Sequence, residues 1–98
     1  MKVRILRTAL EDMAAGRRFY DRQEQGVGDY FFDNIFSEID SLALYAGIHS
    51  KRFGFHRLLA KRFPYAIYYH VIGDEAVVYR VLDCRRSPNR IRRSLSAE

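Results

Sequence analysis

Ninety-eight residues, 48% of them hydrophobic and 30% charged, are enough for one domain with a real core, too few for two, and too apolar for a disordered chain. The net charge of +5 is lopsided: residues 1–50 carry six Lys or Arg against eight Asp or Glu, and residues 51–98 carry eleven against four. The second half is therefore a cationic block suited to a polyanion, a phosphate or an acidic protein surface, or else to water alone.

A lone Cys84 excludes an intrachain disulfide, and no segment approaches the ~20 apolar residues of a membrane span. Arg4, Arg7, Glu11 and Asp12 interrupt any apolar stretch of signal-peptide length, so the expected location is the cytoplasm.

In chain order, "KVRIL" alternates Val3 and Ile5 with Lys2 and Arg4 and predicts a first strand. Thr8 followed by Glu11 reads as a capping box that opens a helix over about residues 9–25, with Leu10, Met13, Ala14 and Tyr20 near one face. Gly26 and Gly28 break it. A second helix is predicted over about residues 29–46 from the recurrence of Phe32, Ile35, Phe36, Ile39, Leu42, Ala43 and Ala46, with Gly47 as its stop. The short connection predicts an antiparallel helical hairpin packed on one face of a sheet.

After residue 50 the period becomes alternating, and strands are predicted at about 52–59, 65–71 and 76–83, joined by "AKRFP" and "IGDE". Pro64 fits the start of a strand. The fold class is α+β, in the order β-α-α-β-β-β, with a mainly antiparallel sheet. Residues 1–84 form the single domain, and residues 85–98, with five arginines and Pro88, form a basic C-terminal tail that is either partly disordered or a last short element docking late.

The residues offer little chemistry. His49, His56 and His70 lack metal-ligand spacing, and there is no glycine-rich phosphate loop, so neither metal nor cofactor is expected. Cys84 reads as a small buried hydrophobe rather than a nucleophile paired with His70. On the third strand Tyr65, Ile67, Tyr69 and Val71 share the expected core side, with Ala66, Tyr68 and His70 opposite. Parity would place Arg57 and Arg80 on that opposite, open side, rimmed by Arg85, Arg86 and Arg90. Guanidinium forks beside aromatic planes can hold phosphates or acidic groups; half-buried tyrosines with arginines lying over them are the plainer reading.

The element order, "RFPYAIYY" at residues 62–69 and the Arg-Arg-x-Pro run from Arg85 to Pro88 resemble the RelE/ParE superfamily of toxins from bacterial type II toxin–antitoxin modules. The resemblance implies a plasmid-stabilization toxin neutralised by a cognate antitoxin, with Arg57, Lys61, Arg62, Tyr68, His70, Arg80, Arg85, Arg86 and Arg90 as target- or antitoxin-binding residues. RelE-type relatives are ribosome-dependent mRNA endonucleases. Arg57 and Arg86, with His56 as a proton-transfer group, match part of their set, but Ala66 stands where a strand arginine is expected, Leu59 where a lysine is, and Arg92 near the place of a tail tyrosine. "RRSP" is closer to the ParE branch, which poisons DNA gyrase without cutting RNA. The resemblance thus implies a gyrase inhibitor. The alternatives are a nuclease acting on ribosome and mRNA, and a toxin-fold binding protein that is not toxic.

Overall fold

The computed structural model describes residues 1–96. Nine elements follow in order: β1 Lys2–Ile5, α1 Arg7–Gln23, α2 Val27–Asp40, α3 Leu42–Tyr45, β2 Lys51–Arg52, β3 Phe55–Leu59, β4 Tyr65–Ile72, β5 Glu75–Asp83 and α4 Pro88–Ser96. The five strands make one sheet in the order β1-β5-β4-β3-β2. Only the β1–β5 pair is parallel; the other neighbours are antiparallel. This is the expected α+β arrangement with the helical hairpin on one face.

The first helix begins earlier than the capping box predicts. Leu6 N–H continues the sheet by bonding to the Val78 carbonyl at 3.0 Å, so β1 hands over directly to α1. Thr8 lies inside the helix, and its hydroxyl donates to the Tyr79 carbonyl at 2.9 Å instead of capping. The buried stripe is Ala9, Met13 and Gly16, while Leu10 is exposed.

Asp21, near the end of α1, accepts from Gly28 N–H at 2.8 Å and from Gly26 N–H at 3.2 Å. A carboxylate borrowed from the preceding helix thereby satisfies donors at the start of α2, which Gly26 cannot do for itself.

The second helix run keeps most of its expected face, with Phe32 and Ala46 packed against the core, but the fully buried aromatic is Phe31. Phe31, Ile35, Ile39 and Leu42 are buried, whereas Phe36 is exposed. The run Tyr30-Phe31-Phe32 is apolar around most of a turn, so periodicity alone leaves its inward member open. Ser41, itself in helical conformation, separates α2 from α3, and Gly47 with φ +96° ends the run as predicted.

The expected single strand over residues 52–59 is a small hairpin instead. Phe53 and Gly54, with φ of 57° and 83°, turn β2 back onto β3 with the two positive φ angles of a type I′ turn.

Between the helices and the sheet lies a core of Met13, Phe31, Ile35, Ile39, Leu42, Leu58, Tyr65, Ile67, Tyr69, Val78 and Val81. Phe31 is its aromatic hub, with ring centroids of Tyr65 at 4.8 Å, Tyr20 at 5.0 Å and Phe63 at 5.1 Å. A second, smaller core lies on the other face of the sheet: Ala66, Tyr68 and Leu82 are covered by Ile91 and Leu95 of α4. The basic tail thus contains a docked helix anchored at i and i+4, the spacing of one helical face. Its last two residues, Ala97 and Glu98, lie outside the described residues.

Candidate functional site

β5 carries a bulge. Tyr68 pairs with Arg80 and Tyr69 with Val78, which leaves Tyr79 unpaired and turns Tyr79 and Arg80 toward the same side. That side, remote from the helical hairpin, also receives Phe55, Arg57, Ala66, Tyr68, His70 and Leu82 by strand alternation. The expected register of Arg57, Tyr68 and Arg80 is present, since Tyr68 pairs with both arginines.

The expected open face is only half open. α4 lies over Ala66, Tyr68 and Leu82, so Tyr68 is 1% exposed and Ala66 fully buried. Burial raises the Tyr68 phenol above its ordinary pKa, and the neighbouring Arg57 guanidinium, hydrogen-bonded to it, pulls the other way.

Beyond α4 the face shows an aromatic cluster. His70 stacks on Phe55 at 4.1 Å and meets Tyr79 edge-on at 5.0 Å. Burial lowers the His70 pKa, with Lys51 and His56 adding to the effect, so the ring favours its neutral form. Phe53 at the hairpin tip carries the Arg52 guanidinium at 5.4 Å and the Arg92 guanidinium at 5.3 Å from its ring centre. Arg52 and Arg92 thus flank the Phe53 ring, and Arg57 stands on the same side of the sheet against the Tyr68 phenol, a cationic and aromatic surface suited to an anionic or acidic partner.

The remaining residues expected at the site are dispersed. Arg80 is committed to Asp12, with Nε to Oδ2 at 2.7 Å and Nη2 to Oδ1 at 2.9 Å, and its Nη1 donates to the Ser94 carbonyl of α4 at 2.8 Å. It is a structural clasp rather than an open-face group. Lys61 and Arg62 lie beside α2: Lys61 N–H donates to Glu38 at 2.9 Å and Arg62 to the Tyr30 hydroxyl at 2.9 Å. Arg85 is exposed and paired with Asp83 at 2.7 Å. Arg90 is exposed on α4.

Arg86 enters a cleft of about 210 Å³ on the helix side, lined with Asp12, Gly16, Phe19, Tyr65 and Asp83. His56, the proton-transfer residue expected under the nuclease alternative, is on the helix-facing side, where its Nδ1–H donates to the His49 carbonyl at 2.6 Å and its ring stacks on Tyr69. Arg57, Arg86 and His56 therefore do not converge. Cys84 is exposed rather than buried, and partial screening from water pushes its thiol up from the usual value.

Sequence reasoning missed Arg52, Phe53, Phe55, Tyr79 and Arg92 as one surface. Their meeting depends on the hairpin turn at Phe53-Gly54, the bulge at Tyr79 and the docking of α4. The adjacent Phe53-Gly54 pair was the available signal for the first of these. No group of three or more His, Cys, Asp or Glu able to hold a metal occurs among the described residues. No helix among them is long and apolar enough to cross a membrane.

No family model and no curated protein matches the chain. Among solved structures it is similar to a chain of the chromosomal ParDE TA system from P. aeruginosa, with a TM-score of 0.75 and 22% identity over 83% of this chain and 92% of that one. At that identity the likeness speaks for the backbone: this chain, with its helical hairpin on a mainly antiparallel sheet, shares the α+β fold of that ParDE-system chain over most of both lengths.

Proposed function

We propose that the chain is the toxin of a type II toxin–antitoxin module, acting in the cytoplasm on DNA gyrase and neutralised by a cognate antitoxin. The observation that carries the toxin reading is the fold shared with a chain of a ParDE system across most of both lengths.

The choice of gyrase over mRNA rests on the chemistry of the sheet. RNA cleavage needs a base or acid within reach of the reacting hydroxyl and cations around the phosphate. Here Ala66 is buried under α4, His56 faces the helices, the Tyr68 phenol is buried, and Arg86 is in a separate cleft. What the open face offers is recognition: Arg52 and Arg92 around Phe53 and Arg57 against Tyr68, with Phe55, His70 and Tyr79 alongside.

Purified protein incubated with gyrase and relaxed plasmid is expected to block supercoiling. Arg52→Ala or Arg57→Ala should weaken the block by about ten- to a hundredfold, as for loss of one charge-assisted hydrogen bond of about 1.5–3 kcal/mol. In parallel, mRNA ends are mapped in induced cells. Fresh cuts within ribosome-bound codons with supercoiling untouched would move the assignment to the nuclease branch, and normal growth with neither effect would leave a non-toxic binding protein.

A further inference from the structure

Phe53 stands where its residue type is least expected. Among the described residues it alone, apart from glycines, has a positive φ, and it does so at the first central position of the β2–β3 turn. Asn, Asp or Gly would sit there with little strain, and a bulky aromatic does not. Packing accounts for part of the choice: the side chain is half-buried against the smaller core, with its ring centre 6.4 Å from that of Tyr68. A leucine would cover the same surface, so burial calls for an apolar residue but not for a ring.

The ring has a second use. Arg52 precedes it on β2, Arg92 comes to it from α4, and both guanidinium groups stand over its face. Neither arginine forms an ion pair among the described residues, and the hydrogen bond that Arg92 makes is to a neutral group, Asn89 Oδ1 at 3.0 Å. A carboxylate partner, as Asp12 is for Arg80, orders a guanidinium by consuming its N–H donors. A ring face orders it and leaves those donors available.

We infer that Phe53 is a positioning residue, whose ring, held in a strained turn, sets Arg52 of the hairpin and Arg92 of α4 as two donor forks for acidic side chains of the target protein. Strain that packing does not require is a mark of function, and forks fixed before contact lose less freedom on binding. With two cations over it and Tyr68 beside it, the ring has little face left for a stacked base, which favours carboxylates over nucleic acid. The naming of that target as gyrase rests on the proposed function; the ordering of the two arginines by the ring does not.

The test compares the unmodified chain with Phe53→Tyr, Phe53→Leu and Phe53→Asn. Tyr and Leu both keep an apolar cover and the backbone strain, so they differ in the ring, whereas Asn removes the ring and suits the turn. In NMR spectra of the ¹⁵N-labelled chains, the Nε–H protons of Arg52 and Arg92 are expected at ring-current-shifted positions in the unmodified chain and Phe53→Tyr, and at ordinary arginine positions in the other two. Acetyl-Glu-Glu-Glu-amide should bind the first two about three- to tenfold tighter than Phe53→Leu. Arg52→Ala should weaken that binding more in Phe53→Tyr than in Phe53→Leu, because only the former has an ordered Arg52 to lose.

Ordinary arginine positions in the unmodified chain, equal peptide binding by Phe53→Tyr and Phe53→Leu, or tighter ring-dependent binding of a uridine tetranucleotide than of the peptide overturns the inference. If the amides of Ile91 and Leu95 move in Phe53→Leu, so that α4 has let go, the Arg52 comparison decides, since Arg52 is not on that helix. Gyrase supercoiling is scored separately. A chain whose peptide binding follows the ring but which spares gyrase loses only the target, and one that inhibits gyrase equally with Tyr or Leu at position 53 keeps the target and loses the inference.

Discussion

Asp12 and Arg80, sixty-eight residues apart, form a two-pronged ion pair at the open edge of β5, with side chains only 13% and 16% exposed. The same carboxylate bonds Val81 N–H, and the same guanidinium reaches α4. Removing Asp12 would strand a shielded cation and an unpaired strand donor together. Asp12→Ala is therefore expected to cost about 3 kcal/mol or more of stability. Breaking the exposed Arg4–Glu75 pair with Arg4→Ala should cost less than about 1 kcal/mol. Urea denaturation of both variants checks this, and equal losses would show that the clasp is an ordinary surface pair.

Two glycines set how closely the helices approach their neighbours. A Cβ on Gly16 would stand 2.5 Å from the Phe31 ring, and one on Gly28 would stand 2.3 Å from the Arg17 carbonyl oxygen. Gly16→Ala must displace the aromatic hub, and Gly28→Ala must part the two helices against backbone. Each should destabilise by about 1–3 kcal/mol despite the gain in helix propensity. Calorimetric unfolding decides it; an unchanged melting temperature for either variant would mean that the approach is looser than described.

Acid should weaken the fold through His49. Its Nδ1 lies 2.5 Å from the Tyr69 hydroxyl, which also accepts from Gly47 N–H at 2.9 Å, and this pins the connection after α3 to the sheet. Burial lowers the His49 pKa from its ordinary 6.5, with His56 adding to the effect and Glu38 opposing it. Folding therefore favours the neutral ring. The stabilisation is fully present above pH 6.5 and is lost as the pH falls through the lowered folded value. His70, also lowered, contributes with the same sign. Urea midpoints should fall between about pH 7 and pH 5, and less steeply in His49→Gln. A slope identical to that of the unmodified chain would remove His49 from the account.

The docking of α4 depends on two side chains, Ile91 and Leu95, buried against Ala66, Tyr68 and Leu82. Leu95→Glu should place a charge where no partner waits and detach the helix while the main core stays intact. Trypsin would then cut faster at Arg90, Arg92 and Arg93, with little change in far-ultraviolet circular dichroism beyond one short helix. Unaltered cleavage would indicate that other contacts hold the helix in place.

The fold was legible because its strongest signals are local. Alternation in "YAIYYH" assigned Tyr65, Ile67 and Tyr69 to the helix side, and Ile35, Ile39 and Leu42 fell on the buried face of their helix run. The failures occur where the structure depends on distant partners. Thr8 followed by Glu11 satisfies a local rule, yet Thr8 is claimed by Tyr79 across the sheet. Arg80 has the parity of an open-face residue, but Asp12, on an element sixty-eight positions away, takes its guanidinium. The tail stayed open between disorder and a last docking element, and α4 could not be named as a helix, because its two anchors stand among arginines and nine residues give too few turns for a period to show. The site suffered most, since a cationic half of the sequence becomes one surface only if its charges share a face. Lys61, Arg62 and Arg86 lie apart from Arg52, Arg57 and Arg92.

The unpaired Tyr79 lets β5 carry one residue more than its partner strand without changing which residues face the helices. Upstream of it Ala76 and Val78 point to the helices, and downstream Val81 does so three positions later rather than two. Gly73 and Asp74 are the entire turn between the paired Ile72 and Glu75, and losing either would open the end of the hairpin. Deleting Tyr79, by contrast, would leave the sides of the strand unchanged, because Val78, Arg80, Val81 and Leu82 would then alternate regularly against Tyr69, Tyr68, Ile67 and Ala66; what would go is the local bend and the Tyr79 ring beside Phe55 and His70. The bulge is thus a feature of the aromatic surface rather than of the core: a chain without Tyr79 should keep Val78 and Val81 against the helices and lose only the extra ring on the opposite side.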